Sequence, residues 1–380
     1  MRVQSWRTVV LAGVAALVAC IAGPWELSAR RASDPAVLDQ QIDELLGAGR
    51  YTEVPPLAQR LVALNKARSG TVSTQHAAAL EKLARSYLFR NQYAEAEPIY
   101  AQVLAIRTKV LGAHDAIVLS TIVTLAELYR FSGRPQMGEP LLREGLAQRE
   151  QAMGPNHASL VDALRELAET ERSLQRYSEA ETDIRRALAL AKKAKQDPKQ
   201  IALLLGARAT IELDQHKLTE AERSLQEALS LHEQALRTDP MPQMGHVLTL
   251  LQLTRLYYQL ERYEDATSSS ERALAVLEKL FGPDHPNVAR QLEVVAGMYE
   301  GRRRYDEGDA LRKRALAIIE RAYGAESLPF AQSLKALAGV YAQQGRNKEA
   351  LDLLLRASEI AESADHGAIS DEDTGKARSA

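Results

Sequence analysis

Apolar residues recur along this chain with two superposed periods. Within short windows they fall three and four residues apart, as in Leu80-Leu83-Ala84-Tyr87, Ile122-Leu125-Ala126-Tyr129 and Leu334-Leu337-Ala338-Tyr341. That spacing draws one apolar stripe along an α-helix. Over longer windows the whole pattern returns. With Tyr51, Tyr93, Pro135, Tyr177, Leu218, Tyr263, Tyr305 and Asn347 taken as equivalent anchors, the steps are 42, 42, 42, 41, 45, 42 and 42 residues. Three residues after each anchor stands a small residue (Ala96, Gly138, Ala180, Ala221, Ala266, Gly308, Ala350), with Val54 the one departure. Eleven after it come Leu104, Leu146, Leu188, Leu229, Leu274 and Leu316. Each unit therefore predicts two antiparallel amphipathic helices, one before the anchor and one after it.

The punctuation agrees. Gly133-Arg134 and Gly345-Arg346 precede their anchors, where glycine lets a helix end at positive φ. Gly154-Pro155-Asn156-His157 and Gly282-Pro283-Asp284-His285-Pro286 separate units, stopping one helix and starting the next. The small residue after the anchor permits close helix approach, which a large side chain would prevent. One helix pair cannot bury its apolar face alone, so stacked neighbours must share one elongated core with a concave and a convex surface.

The Leu-Ala-x-x-Tyr, Gly-Arg-x-x-x-Ala-Glu, Ala-Leu and Gly-x-x-His segments resemble tetratricopeptide repeats, in the 42-residue form of kinesin light chains and many bacterial proteins. The resemblance covers residues 37–362. It implies an all-α fold, a right-handed superhelical solenoid of about eight antiparallel helix pairs, with partners bound on the concave face. The motif residues are core and turn residues, so they specify the repeat and leave the function open. The unit with Arg208 in place of leucine and Glu212 in place of tyrosine diverges most, and a bend or local looseness is expected there. The asparagine ladder of kinesin light chains is missing: Lys82, Thr124 and Glu166 stand where asparagine is typical. That family's cargo preference does not carry over.

Composition narrows the function. Lys plus Arg at 48 against Asp plus Glu at 50 leaves a net charge of −2, without the basic excess that attracts nucleic acid. Arg2 and Arg7 precede an apolar run from Val9 to Ala22, which reads as a signal segment over residues 1–22, followed by a tether over 23–36. The run is shorter than the about 20 residues that a transmembrane helix needs. Leu17-Val18-Ala19-Cys20 resembles a bacterial lipobox, which implies cleavage before Cys20, the only cysteine, and lipid attachment to its thiol. The alternatives are an uncleaved anchor or a conventionally cleaved signal and a secreted soluble form. The expected location is the periplasmic side of the cell envelope, tethered to a membrane. Residues 363–380 are polar and aperiodic and are expected to be a disordered tail.

No His-Glu-x-x-His, Gly-x-Ser-x-Gly or Gly-x-Gly-x-x-Gly segment occurs, and Gly133-Arg134-Pro135-Gln136-Met137-Gly138-Glu139 lacks the lysine of a phosphate loop. His114, His157 and His285 sit in equivalent turns, separated by at least a helix-packing distance of about 8–10 Å, too far for a shared metal. Pairs such as Glu95 and Glu97, Glu179 and Glu181, and Glu220 and Glu222 lie near helix starts, where the helix dipole favours them. The reading is non-enzymatic, with no cofactor and no metal.

Residues off the first-helix stripe are the candidates for partner binding: Arg85, Phe89, Arg130, Phe131, Arg165, Arg172, Arg255, Tyr258 and Arg290. Arginine engages carboxylates bidentately and exposed aromatics supply apolar area, so an extended acidic peptide with hydrophobic anchors suits them. In the competing reading the arginines pair with glutamates on their own helices, as Glu81 and Arg85 could at four-residue spacing. The leading function is a tethered adaptor at the envelope. A solenoid that pairs its open ends with other copies, and a peptide-sensing regulatory module, are the alternatives.

Overall fold

The structure, a computed structural model, describes residues 34–47 and 49–377, with side-chain surroundings to residue 363. The signal reading, Cys20 included, and the tether reading up to residue 33 lie outside the described residues, and the first helix starts at Pro35, inside the last residues of the expected tether. Sixteen α-helices and one short 3-10 turn form eight successive pairs, and no strand occurs among the described residues. The pairs are α1 (Pro35–Gly47) with α2 (Val54–Ser69), α3 (Thr74–Leu88) with α4 (Tyr93–Leu111), α5 (Ala116–Phe131) with α6 (Pro135–Met153), and α7 (Val161–Ser173) with α8 (Tyr177–Lys193). Then follow α9 (Pro198–Asp214) with α10 (Leu218–Thr238), α11 (Met244–Gln259) with α12 (Tyr263–Phe281), α13 (Pro286–Gly301) with α14 (Tyr305–Tyr323), and α15 (Leu328–Gln343) with α16 (Asn347–Ala377). The described residues fall into two compact units, one ending at Leu190 and the other starting at Ala191.

Seven of the eight anchors are the first residue of a second helix. The exception is Tyr51: α2 starts three residues later at Val54, with Pro55 and Pro56 in its first turn, where a missing N–H costs nothing. The expected small position is buried throughout. A Cβ built on Gly138 would stand 3.0 Å from the Cα of Ala126, so α5 and α6 meet backbone to backbone there. The stripe expected at the eleventh residue is only half-buried in several units, whereas its neighbour one residue earlier is small and fully enclosed: Gly145, Ala187, Ala228, Ala273, Ala315 and Ala357. From the third pair on, each pair thus carries two small buried residues on its second helix, while α2 has Val54 and Leu61 and α4 has Val103 at these places.

Two residues before every anchor the backbone takes positive φ, whatever the residue. Gly49, Gly133 and Gly345 do so at 71°, 75° and 76°, and Asn91, Gln175, His216, Glu261 and Arg303 at 57–61°. The turn geometry is fixed by stacking, so five units hold an L side chain in a region that favours glycine. Between units, Ser73, Asp115, Asp197 and Ser327 accept backbone N–H groups as N-caps. His157 and His285 do the same through Nδ1, at 3.2 Å from Ser159 N and 3.1 Å from Asn287 N.

The divergent unit is regular, with α9 packed along α10. Glu212 is buried but accepts from Arg208 Nε and from Ser224 Oγ, each at 2.7 Å, so the carboxylate replaces tyrosine without loosening the pair. Helical backbone in α16 continues to Ala377, across most of the segment expected as a tail.

Candidate functional site

First helices of neighbouring pairs touch within each unit, as α5 does α7 and α9 does α11, so charges off the core stripe face the next first helix. Arg130 on α5 donates from Nε and Nη2 to the two carboxylate oxygens of Glu166 on α7, at 2.8 and 3.2 Å. The Arg130 side chain is 14% exposed and that of Glu166 0%. Arg165 on α7 returns to Glu127 on α5 at 3.1 Å. Arg172 binds Glu169 at 2.9 Å on its own helix. Of the candidates Arg85, Arg130, Arg165 and Arg172, the last three are paired with carboxylates in partly buried contacts. The own-helix alternative holds for Arg172, and Arg165 also stands 3.7 Å from Glu166 on its own helix. Glu81 accepts from Arg107 on α4 at 2.6 Å, not from Arg85, and Arg107 also donates to Thr121 on α5.

Two of the places where asparagine was missing carry these links. Lys82 reaches Asp39 and Asp43 on α1 at 2.6 and 2.8 Å, and Glu166 takes Arg130. Thr124 Oγ1 instead donates to Ser120 O within its own helix. Burial pushes the Glu166 carboxyl up to about 7, against the pull of Arg130.

The aromatic candidates behave differently. Phe89, Phe131 and Tyr258 are 46%, 55% and 59% exposed. Phe89 and Phe131 each lie four residues before an anchor, in consecutive pairs. Phe89 stacks on Tyr51 at 4.7 Å, and the Arg85 guanidinium stands 5.7 Å from its ring centre. Arg130 covers one face of Phe131 at 4.4 Å. Tyr258 meets Tyr263 edge to face and borders a cavity of about 270 Å³ floored by Thr267, Gly297 and Arg302. Arg85, Arg255 and Arg290 are exposed, and Arg290 lines a second cavity of about 320 Å³ with Glu293 and Tyr323. The nine candidates thus form several separate patches.

Sequence reading missed a charge relay tied to the anchor. The arginine just before it lies over the ring of the Leu-Ala-x-x-Tyr tyrosine: Arg134 on Tyr129, Arg262 on Tyr257, Arg304 on Tyr299 and Arg346 on Tyr341, at 3.6–5.5 Å. Some of these arginines also reach back one pair, Arg134 to Glu97 and Arg262 to Glu222 at 2.7 and 2.8 Å, and Arg176 to Glu139. The glutamate after the small residue is therefore a link between pairs, a role beyond the helix dipole. Glu171 occupies the tyrosine position of α7. It is fully buried, accepts from Arg143 Nη2 at 2.7 Å and leaves Oε2 without a partner. Burial, then Asp183, pushes its carboxyl up to about 8.

Among the described residues no group of three or more His, Cys, Asp or Glu is placed to hold a metal. The tetratricopeptide repeat model matches residues 75–137, 117–193 and 291–363, and a second model of the same repeat matches 247–287. The chain belongs to the tetratricopeptide repeat family. A comparison with the curated proteins returns no match. Among solved structures, a putative kinesin light chain of Podosopora anserina with nearly identical TPR-like repeats is 21% identical, over 55% of this chain and 98% of that one, at a TM-score of 0.47. BtubC (BKLC) from P. vanneervenii is 20% identical, over 65% and 92%, at 0.47. A signal transduction ATPase with a tetratricopeptide repeat sensor from Pyrococcus horikoshii is 15% identical, over 89% and 54%, at 0.55. This last likeness shows the fold, and this chain spans about half of that protein's length. Tetratricopeptide repeats are protein–protein interaction scaffolds, and their motif residues here are the core and turn residues already described.

Proposed function

We propose that this tetratricopeptide repeat protein is a non-enzymatic adaptor that captures a protein or extended peptide on the exposed faces of its first helices. The observation that carries the reading is the pair Phe89 and Phe131, two large aromatic rings at equivalent positions of consecutive pairs, both about half exposed. Water-facing rings at a repeated position are poor for solubility and well suited to apolar anchors of a partner. Arg85, Arg255 and Arg290 are exposed and suit carboxylates on that partner. The adaptor sits at the periplasmic side of the bacterial cell envelope, held through Cys20; the support is the order of Arg2, Arg7, the apolar run and the single cysteine.

Crosslinking in intact cells followed by mass spectrometry tests the reading. Phe89→Ala with Phe131→Ala removes the crosslinked partner set while thermal unfolding stays close to that of the unaltered protein. An unchanged set in a folded double variant overturns the first-helix surface.

A further inference from the structure

Within each compact unit a second helix packs against the first helix of the next pair, as α4 does on α5 and α12 on α13, and residues of the second helix record that cover. The seventh residue after the anchor is buried as Tyr100, Leu142, Leu225 and Ser270, while in α14 it is Arg312, which pairs with Glu300. At the fourth and eighth places, where Pro55 and Ala101 are the apolar exceptions, polar residues of several helices bond to the next pair. Glu97 and Glu222 accept from Arg134 and Arg262, Asp309 accepts from Tyr341 Oη at 2.7 Å, and Arg143 donates to Glu171.

In α16, the last described helix, leucine occupies all three places. Leu351, Leu354 and Leu355 are 56%, 45% and 55% exposed, and no described helix covers them. An end that faces water carries polar residues on its outer helix. The first described helix does so: α1 exposes Gln40, Gln41 and Glu44.

That contrast selects the occupant. A head-to-tail contact between copies would set the leucines against Gln40, Gln41 and Glu44 of α1 and desolvate those polar groups. A face-to-face contact sets leucine on leucine and closes by two-fold symmetry. The charges fit the second arrangement. Lys348, Leu351, Leu355 and Glu362 share one face of α16 by helical spacing. With two such helices antiparallel about an axis near Leu355, Lys348 of each copy lies beside Glu362 of the other. We infer that α16 is the contact surface between two copies of this chain, packed antiparallel about that axis. The inference is independent of the adaptor reading, since it concerns α16 and not the first-helix faces.

Light scattering on the full chain at micromolar concentration gives a dimer. Leu354→Glu with Leu355→Glu weakens it on the order of tenfold or more in dissociation constant with unchanged circular dichroism. Lys348→Glu alone weakens it, and Lys348→Glu with Glu362→Lys restores it, which separates a lost contact from a lost fold. In a Cys20→Ser background, oxidised Leu355→Cys links two copies through that position. A monomer at every concentration, a dimer indifferent to the leucine and charge variants, or a link forming only between Gln40→Cys and Leu355→Cys copies overturns the proposal.

Discussion

Arg130 and Glu166 form an ion pair in which one member is almost enclosed and the other fully so, and the two respond differently to substitution. Arg130→Ala leaves a buried carboxylate without its bidentate partner, at a cost of about 3–5 kcal/mol. Glu166→Gln keeps the shape and removes the buried charge, and costs much less. Urea unfolding of both variants measures the difference, and equal losses would show that the charge is not the cause. Backbone strain gives a prediction of opposite sign. Glu261 and Arg303 sit at φ 58° and 60°, so replacing either by glycine raises stability by about 0.5–1 kcal/mol, the steric relief less the entropy of a freer chain. Glycines inside helices divide in the same way. Gly339→Ala meets nothing within 4 Å and gains up to about 1 kcal/mol in helix propensity. Gly138→Ala drives a methyl into the Ala126 backbone and loses stability despite the same propensity. Melting temperatures of these variants check the signs.

At the scale of elements, the contact that matters is the close approach of paired helices. Ala180 is buried at the first small position of α8, and Ala180→Leu costs about 1–3 kcal/mol, with the damage fading over neighbouring pairs. Hydrogen exchange that shows no gradient around α7 and α8 would misplace the contact. Helix pairs and their small residues were legible in the sequence, because a stripe at three and four residues and a turn glycine are local signals. The partners of the charged residues were not. Arg130 and Glu166 stand 36 residues apart, and Arg134 and Glu97 37 apart. Those separations arise only from how one pair is laid on the next. The exposure of Phe89, Phe131 and Tyr258 followed from their places off the stripe, whereas the enclosure of Arg130 and Arg165 needed the neighbouring helix.

Across the whole molecule, the two compact units carry titrations of opposite sign. Up to Leu190, burial pushes the Glu166 and Glu171 carboxyls up to about 7 and about 8 from 4.5, and Arg143 and Arg176 only partly offset this for Glu171. A raised folded pKa means that this stabilisation is complete below 4.5 and is lost as pH rises through about 7–8. From Ala191 on, His232 stacks on His246 at 5.3 Å, and burial, then the charge of His246 and of Lys199, depresses it from 6.5 to about 4. Its contribution is present above 6.5 and is lost as pH falls through about 4. Between about pH 8 and about pH 5 the first unit therefore gains stability while the second loses it. Hydrogen exchange corrected for intrinsic rates reads each unit separately; Glu171→Gln flattens the first trend and His232→Gln the second. Parallel trends in both units would remove these groups as the cause.

The repeat length, the helix pairs and most of the small contact residues were determined by the sequence alone, because each depends on a stripe within a few residues, as were the turns that carry glycine. The family followed from the same local segments. The tertiary structure decided which arginines are occupied, which glutamates are buried and raised in pKa, and that the last described helix leaves three leucines exposed. These depend on what the adjoining pair places opposite each side chain, and a period along the chain carries no record of that.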